Sequence, residues 1–531
     1  MTQTLEEQNT DVVDRVDEIM DNAVDKAGEL LQERPRSAEV ILKQLMKIDP
    51  EHLGGLQMLG LCKHRMGQNA EAIEIIQTAL ELDPTNADNW NNMGLAYGGI
   101  GDFHKSIDCL KKALEYDSTH HMYMNNLALQ YRATDQYENA VEVLNKALEE
   151  KSVPQMLINL GGIYGEMLEY DKAFKCFGEA IALQQDYAPA HVDLGFIHAL
   201  RGEWEQTFQE YEWRFSHYPQ LGYYLNEYDL EKRWNGEDLQ GKRFLIYSEQ
   251  GVGDGLQFVR YAKQLKNRGA TVIIHCPSSL NNLFERMDSV DEVINRNIVH
   301  GTGDELPEYD YQCAIMSLPH LLSEHTPSGK PYITPATDKF RSYLEEEYGK
   351  GTFNVGFVWA GSPAHPHDKF RSIPLKYFKV LQEVDDVKLF SLQVDKRKRA
   401  YGTIAHPEDS NVESLFQNTN EIVDYCCGGE DVEYVDLTVM IQDFEDTATI
   451  LAGLDLLICC DTAIMHLAGA MGVPTWGLIP YNPDWRWCAK GETTEWYDSV
   501  RLFRQEERGD WESVIERVRK ELHETVLQNK R

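Results

Sequence analysis

Cys460-Asp461-Thr462-Ala463-Ile464-Met465-His466-Leu467-Ala468-Gly469-Ala470-Met471-Gly472-Val473-Pro474 is the stretch that decides how the carboxyl half of this chain folds. The apolar run 454–460 before it is short enough for a buried parallel strand, and 475–479 after it reads as another. One short helix fits between them. Asp461 and Thr462 suit its N-terminus, where a side-chain oxygen accepts an orphan backbone N–H, and Gly472 and Pro474 stop it. Ala463, Ala468, Gly469 and Ala470 keep the helix slim, so its backbone can lie close to a sheet. A helix that opens at the carboxyl end of a strand aims free amides and the positive end of its dipole into the crevice where open α/β sheets bind ligands. The spacing therefore predicts a phosphate seat on the amides of Thr462 and Ala463; the plainer reading is a capped helix that is architecture alone.

Working outward, the same half alternates strand-like and helical segments, the signature of doubly wound parallel sheets. The segments 244–248, 271–276 and 311–317 read as strands of one sheet, and 354–360, 387–394, 454–460 and 475–479 as strands of a second. A closing helix is expected over 510–527. The first sheet opens onto Glu249-Gln250-Gly251-Val252-Gly253-Asp254-Gly255. Its glycines permit tight turns and close approach of a ligand to the backbone. As a dinucleotide fingerprint it fails, because the third glycine is misplaced and no acidic residue ends a following strand. Asp254 is either an N-cap or a carboxylate facing the crevice. In the second half, Trp359-Ala360-Gly361-Ser362 leads to His365, His367, Asp368, Lys369, Phe370, Arg371, Ser372, Ile373 and Pro374. Two histidines at i and i+2 in a loop are weak metal ligands. Lys369 and Arg371 are better used as cations beside a departing diphosphate, since guanidinium can clamp phosphate oxygens in bidentate fashion.

The amino half is different in kind. From Val13 to Pro219 it is helical and repeats at about 34 residues, the period of tetratricopeptide repeats. Trp90, Gly94, Tyr97, Gly101 and Ala113 hold that pattern. Leu59, Gly60, Gly67, Ala72, Ala79 and Pro84 keep the register, as do Leu127, Ala128, Tyr131, Ala140 and Ala147. Later units carry Leu160, Gly161, Tyr164, Ala173 and Ala180, then Leu194, Gly195 and Gly202, and a degenerate unit ends at Asp49-Pro50. Stacked helix pairs make a curved superhelix with a concave groove. Asn91, Asn92, Asn125 and Asn126, with Asn159 and Asp193 near the same register, are read either as groove residues that hydrogen-bond an extended peptide or as solvated polar residues. After the array come Tyr211-Glu212-Trp213-Arg214-Phe215, a Tyr-rich linker and Trp234-Asn235-Gly236-Glu237, an aromatic stretch suited to fixing one domain on another.

Composition narrows the function. At 531 residues the chain exceeds one core, and about 150 residues per domain implies three or four units. A net charge of −36 repels phosphate backbones and argues against nucleic acid as a partner. The first ten residues are polar and acidic, unlike a targeting peptide, and no apolar run approaches a membrane span. The ten cysteines include Cys426-Cys427 and Cys459-Cys460 but no Cys-x-x-Cys. That usage fits a reduced, cytoplasmic protein with buried thiols.

Asp461, Thr462, His466, Ala468, Gly472 and Pro474 resemble the nucleotide-sugar site of the lipopolysaccharide heptosyltransferases, whose pattern is Asp-Thr/Ser-x-x-x-His, then Leu-Ala/Thr-Ala and Gly-x-Pro. With Trp359-Ala360-Gly361, Arg371-Ser372-Ile373-Pro374, Ser391-Leu392-Gln393, Asp484-Trp485-Arg486-Trp487 and Leu502-Phe503-Arg504-Gln505, the chain looks like the glycosyltransferases that fuse tetratricopeptide repeats to a heptosyltransferase-like module. It is also similar in architecture to protein O-linked N-acetylglucosamine transferase. The resemblance implies an α plus α/β chain: repeats over 1–220, an aromatic linker over 221–240, an acceptor domain over 241–350 and a donor domain over 351–531, the last two forming a glycosyltransferase B fold. It implies a nucleoside diphosphate sugar donor, inverting transfer without a metal or other cofactor, and Asp254 as base. Arg371, Lys369, Thr462, Ala463 and His466 fall to the donor phosphate, Asp461 to a sugar hydroxyl or the helix cap, and Gln393 to the nucleotide. The acceptor is left open among protein, glycan and lipid, with the repeats holding an acceptor or a partner. The other readings are a non-catalytic repeat scaffold with a degenerate transferase fold, and a dehydrogenase built from the same parts.

Overall fold

The computed structural model describes residues 18–218, 221, 228–296, 305–335, 337, 339–363, 365, 368–394 and 432–529. The chain divides into two compact units, Met1–Asp193 and Leu194–Arg531.

In the first unit helices come in antiparallel pairs: Leu53–Arg65 with Asn69–Leu82, Ala87–Gly99 with Phe103–Tyr116, His121–Ala133 with Tyr137–Glu150, and Pro154–Glu166 with Tyr170–Leu183. A helix over 18–30 with Pro35–Ile48 supplies the degenerate first repeat. Small residues set the pairing. A Cβ at Gly60 would lie 2.4 Å from Ile76, one at Gly94 2.7 Å from Leu110 and one at Gly161 2.5 Å from Phe177. Each glycine faces the side chain sixteen positions on, so the repeat is written in close helix contact as well as in hydrophobic period. The asparagines take neither predicted role cleanly. Asn126 donates to Asn91 (2.9 Å) and Asn159 to Asn125 (2.7 Å), tying successive repeats together, and Asn91, Asn92 and Asn125 are buried.

The second unit begins within Ala188–Leu200, earlier than the boundary near 220 read from the repeats. It holds two all-parallel sheets. Strands β1 (Arg243–Tyr247), β2 (Thr271–Cys276), β3 (Glu292–Asn295) and β4 (Tyr311–Ala314) lie in the order β3-β2-β1-β4. Strands β5 (Phe353–Val358), β6 (Val387–Ser391), β7 (Val435–Asp436), β8 (Leu456–Cys460), β9 (Thr475–Ile479) and β10 (Val500–Arg504) lie in the order β10-β9-β8-β5-β6-β7. The second is the full doubly wound order, reversing direction between β5 and β8. All residues of β5, β8 and β9 are buried, as strands covered on both faces must be. Cys459 and Cys460 are among them, both buried, while Cys426 and Cys427 lie outside the described residues.

The first sheet reverses between β1 and β4, and its crevice there is filled by the chain itself. Arg214, wholly buried, donates from Nε (3.0 Å) and Nη2 (2.7 Å) to the two carboxylate oxygens of Glu249. It also donates to Ser317 (2.8 Å) and Glu212 (2.8 Å). The aromatic stretch is thus core of the second unit. Trp204 and Phe208 pack on Trp496 and Phe258, and Trp234 packs on Phe244. Residues 219, 220 and 222–227 of the Tyr-rich segment lie outside the described residues.

Candidate active site

The predicted helix runs Ala463–Met471 between β8 and β9, and Gly472 ends it in the left-handed region at φ 76°. Its start differs from expectation. Thr462 is the N-cap, but its hydroxyl turns back to donate to the Cys460 carbonyl (3.3 Å), and neither it nor Asp461 caps an amide. Thr462 has the extended backbone usual for an N-cap, but its hydroxyl is taken by the carbonyl at the strand end. The helix's first N–H groups are left without side-chain acceptors among the described residues, as an anion seat requires.

Arg371 stands at this helix start. It donates from Nε to Asp368 (3.0 Å) and from Nη1 to the Asp461 carbonyl (2.9 Å). A Cβ on Gly361, just past β5, would lie 2.5 Å from its Nη2. The guanidinium therefore spans the carboxyl ends of β5 and β8, the point where strand order reverses. Asp368 is buried and also takes the Ser372 hydroxyl (3.0 Å), and that hydroxyl accepts the Gly361 N–H (3.1 Å). Arg371 is thereby aimed by a fixed carboxylate. Lys369 is exposed, its ammonium 4.6 Å from the centre of the Phe370 ring. His365 is an exposed turn residue and His367 lies outside the described residues. Gln393 serves its own sheet. Its Oε1 accepts from Trp359 (3.2 Å) and Ala360 (2.9 Å) and its Nε2 donates to the Ala360 carbonyl (3.0 Å), so the amide is spent on shaping the loop after β5 rather than open to a nucleotide.

Across the crevice stands the glycine turn after β1. A Cβ at Gly253 would lie 3.2 Å from the His466 ring and 3.6 Å from Ala463 Cα, so the two helix starts meet in close contact. Asp254, in the first turn of Val252–Phe258, is nearly buried and has both oxygens occupied. Oδ2 accepts the Gly251 N–H (2.9 Å), and Oδ1 accepts Nη2 of Arg486. The N-cap reading of Asp254 is corrected: Gly251 is the N-cap, and Asp254, three residues on, reaches back to the Gly251 N–H while its other oxygen meets Arg486. Arg486 went unread in the sequence as a site residue. It sits on the short turn Trp485–Trp487 and donates also to Gln257 Oε1 (2.9 Å) and Asp484 (2.9 Å). No spacing rule would have found it, since 232 residues separate it from Asp254.

The electrostatics follow from burial. His466 is buried, bonded through Nδ1 to the Tyr497 hydroxyl (2.9 Å) and stacked on Trp487. Burial, then the Arg486 charge, pushes its pKa down to about 3, so it is a neutral ring at ordinary pH. Asp461 is pushed up to about 6 by burial and the neighbouring Asp484 carboxylate, against the pull of Trp487, Arg371 and Arg486. Burial also opposes ionisation of Asp484, but Arg486 outweighs it and holds that carboxyl below its usual range.

Residues 417–506 match the family described as Glycosyltransferase family 9 (heptosyltransferase). Residues 29–93, then 87–120, 123–152 and 154–187, match tetratricopeptide repeats. The chain carries tetratricopeptide repeats and a glycosyltransferase family 9 domain. The matched transferase span contains Asp461, Thr462, Ala463, His466 and Arg486, while Asp254, Lys369, Arg371 and Gln393 precede it. Protein FlbA of Caulobacter vibrioides is 25% identical over 411 residues, 68% of this chain, and the chain spans 65% of that relative's length. Among solved structures, the chain is similar to the repeat protein TTC0263 of Thermus thermophilus (18% identity, 34% of this chain and 98% of that one, TM-score 0.32). It is likewise similar to pilF of Pseudomonas aeruginosa (18% identity, 40% and 99%, TM-score 0.33). No helix among the described residues is long and apolar enough to cross a membrane.

Proposed function

We propose that the second unit transfers a sugar from a nucleoside diphosphate donor to an acceptor hydroxyl, with inversion. The observation that carries this reading is the Arg371 guanidinium lying across the ends of β5 and β8, beside uncapped helix amides. In this reading the diphosphate rests on the amides of Thr462 and Ala463 with Arg371 and Lys369, so that charge developing on the leaving group meets donors already oriented. Asp254 takes the acceptor proton as the acceptor oxygen bonds to the anomeric carbon. The bond from that carbon to the phosphate oxygen breaks, and the nucleoside diphosphate leaves with the electron pair. Neutral His466 walls the seat, and Asp461 faces the sugar. The repeats hold an acceptor or partner of peptide character, their asparagine row already supplying inter-repeat bonds.

A second reading, a fold that holds a nucleotide without turnover, draws on one observation: both Asp254 oxygens are occupied. Turnover separates the two. Incubating the chain with a panel of nucleoside diphosphate sugars and following nucleoside diphosphate release should give one active donor, and Asp254→Asn should bind that donor while losing about 100-fold or more of the rate. Binding without release by the wild type would favour the scaffold, and unchanged release by the variant would remove Asp254 as base.

A further inference from the structure

Arg486 holds more of the crevice together than any single residue foreseen from the sequence. Its own half supplies one carboxylate, Asp484, which accepts both the Arg486 backbone N–H (3.0 Å) and Nη1 (2.9 Å). The opposite half supplies Gln257 and Asp254. Two carboxylates on one guanidinium are one more than its charge needs. Asp484 stays with Arg486 through the short turn they share, whereas Asp254 reaches it only across the crevice. Asp254 is therefore the exchangeable anion. The cation is placed to meet a different one: its side chain is 13% exposed, and its charge is felt at Asp461 and His466, the residues flanking the open helix start. Gln257, which accepts from Arg486 on Oε1, is fully buried and leaves its Nε2 without an acceptor among the described residues, a spare donor beside the same guanidinium.

We propose that Arg486 is a donor-binding residue, held by Asp254 in the free protein and handed over to the diphosphate when the donor enters. This rests on the diphosphate reading of the site and deepens it. A phosphate oxygen competes well for a guanidinium, which binds such oxyanions in bidentate fashion. The handover has a chemical consequence for order. While Asp254 holds Arg486 with one oxygen and the Gly251 N–H with the other, neither oxygen is open to an acceptor hydroxyl. Once the diphosphate takes the guanidinium, Asp254 is released to accept a proton, so the base becomes competent only after the donor is seated. Acceptor deprotonation then follows donor binding by construction, without a separate lid.

The test is a double-mutant cycle on nucleoside diphosphate affinity, measured by calorimetry on the full chain with UDP, ADP, GDP and CDP as probes. Asp254→Asn removes the competitor and should tighten the best-binding probe by about threefold or more, within the range of coupling between contacting charged groups. Arg486→Lys should weaken it, and in that background Asp254→Asn should change affinity by less than about twofold. An equal gain in both backgrounds would mean that only general repulsion was relieved, and would overturn the handover. So would an unchanged or weaker affinity in Asp254→Asn alone, a variant that keeps the side chain's shape and decides the matter if Arg486→Lys does not fold. Should the wild type bind none of the four probes at millimolar concentration, the diphosphate reading fails first and the handover with it.

Discussion

Two titrating groups at the site, half-buried Asp461 and buried His466, pull stability in opposite directions. Asp461, with its pKa raised to about 6, contributes stability that is full below its unfolded value and is lost as pH rises through about 6. His466, lowered to about 3, contributes stability present above its unfolded value of about 6.5 and lost as pH falls. His466→Gln should therefore flatten the acid-side decline in melting temperature between about pH 6.5 and 4, a limb worth up to about 1.4 kcal/mol per pH unit. An equally steep limb in the variant would show that His466 titrates normally. Asp461 also bears on binding. As it ionises it sets a negative charge beside the phosphate seat, so nucleoside diphosphate affinity should fall on raising pH through about 6, and the fall should be smaller in Asp461→Asn. Parallel pH profiles for the two proteins would remove Asp461 from the seat's electrostatics.

The helix Ala463–Met471 is the element that carries the site, and its position depends on the bare backbone at Gly469. A Cβ at Gly469 would sit 2.4 Å from the Tyr497 ring, whose hydroxyl bonds His466 on the same helix. Gly469→Ala should cost about 1–3 kcal/mol in denaturant unfolding and weaken nucleotide binding together, since the overpacked helix must slide. A stable variant with normal binding would mean that the ring moves aside. This element was legible in sequence because everything that defines it is local: an apolar strand, small residues and a Gly-x-Pro exit. Its cap was misread because a Thr after a strand can turn its hydroxyl back to the strand instead of forward to the helix. The short strand β7 and the edge strands β3 and β10 escaped reading for another reason. β3 is mostly half-buried, β7 has two residues, and β10 carries Arg501 and Arg504 within five residues, so none shows the unbroken apolar run of a central parallel strand. The partners of Asp254 and Gln393 were also out of reach, since side-chain pairing across a crevice leaves no period in the sequence.

At the scale of the molecule, the transferase-like unit extends back past the boundary that the repeats suggested. Arg214 and Glu249 form a fully buried, doubly bonded pair, and Arg214 lies well before β1 in the chain. Removing one partner strands the other charge, so Arg214→Met should destabilise the second unit by about 3–5 kcal/mol. For the same reason a fragment spanning 188–531 should fold and bind nucleotide, whereas one spanning 241–531 should be insoluble or molten by circular dichroism and dye binding. A well-folded shorter fragment would contradict the extended boundary. The central claim is that the carboxyl ends of β5 and β8 form a diphosphate seat with Arg371 at its head. Thermal-shift titration of the wild type and Arg371→Ala with UDP, ADP, GDP and CDP tests it most directly, because a ligand that binds only the folded state raises the melting temperature. The account predicts that at least one nucleoside diphosphate stabilises the wild type and that Arg371→Ala loses most of that shift; equal stabilisation of both proteins, or stabilisation of the wild type by NAD alone, would contradict it.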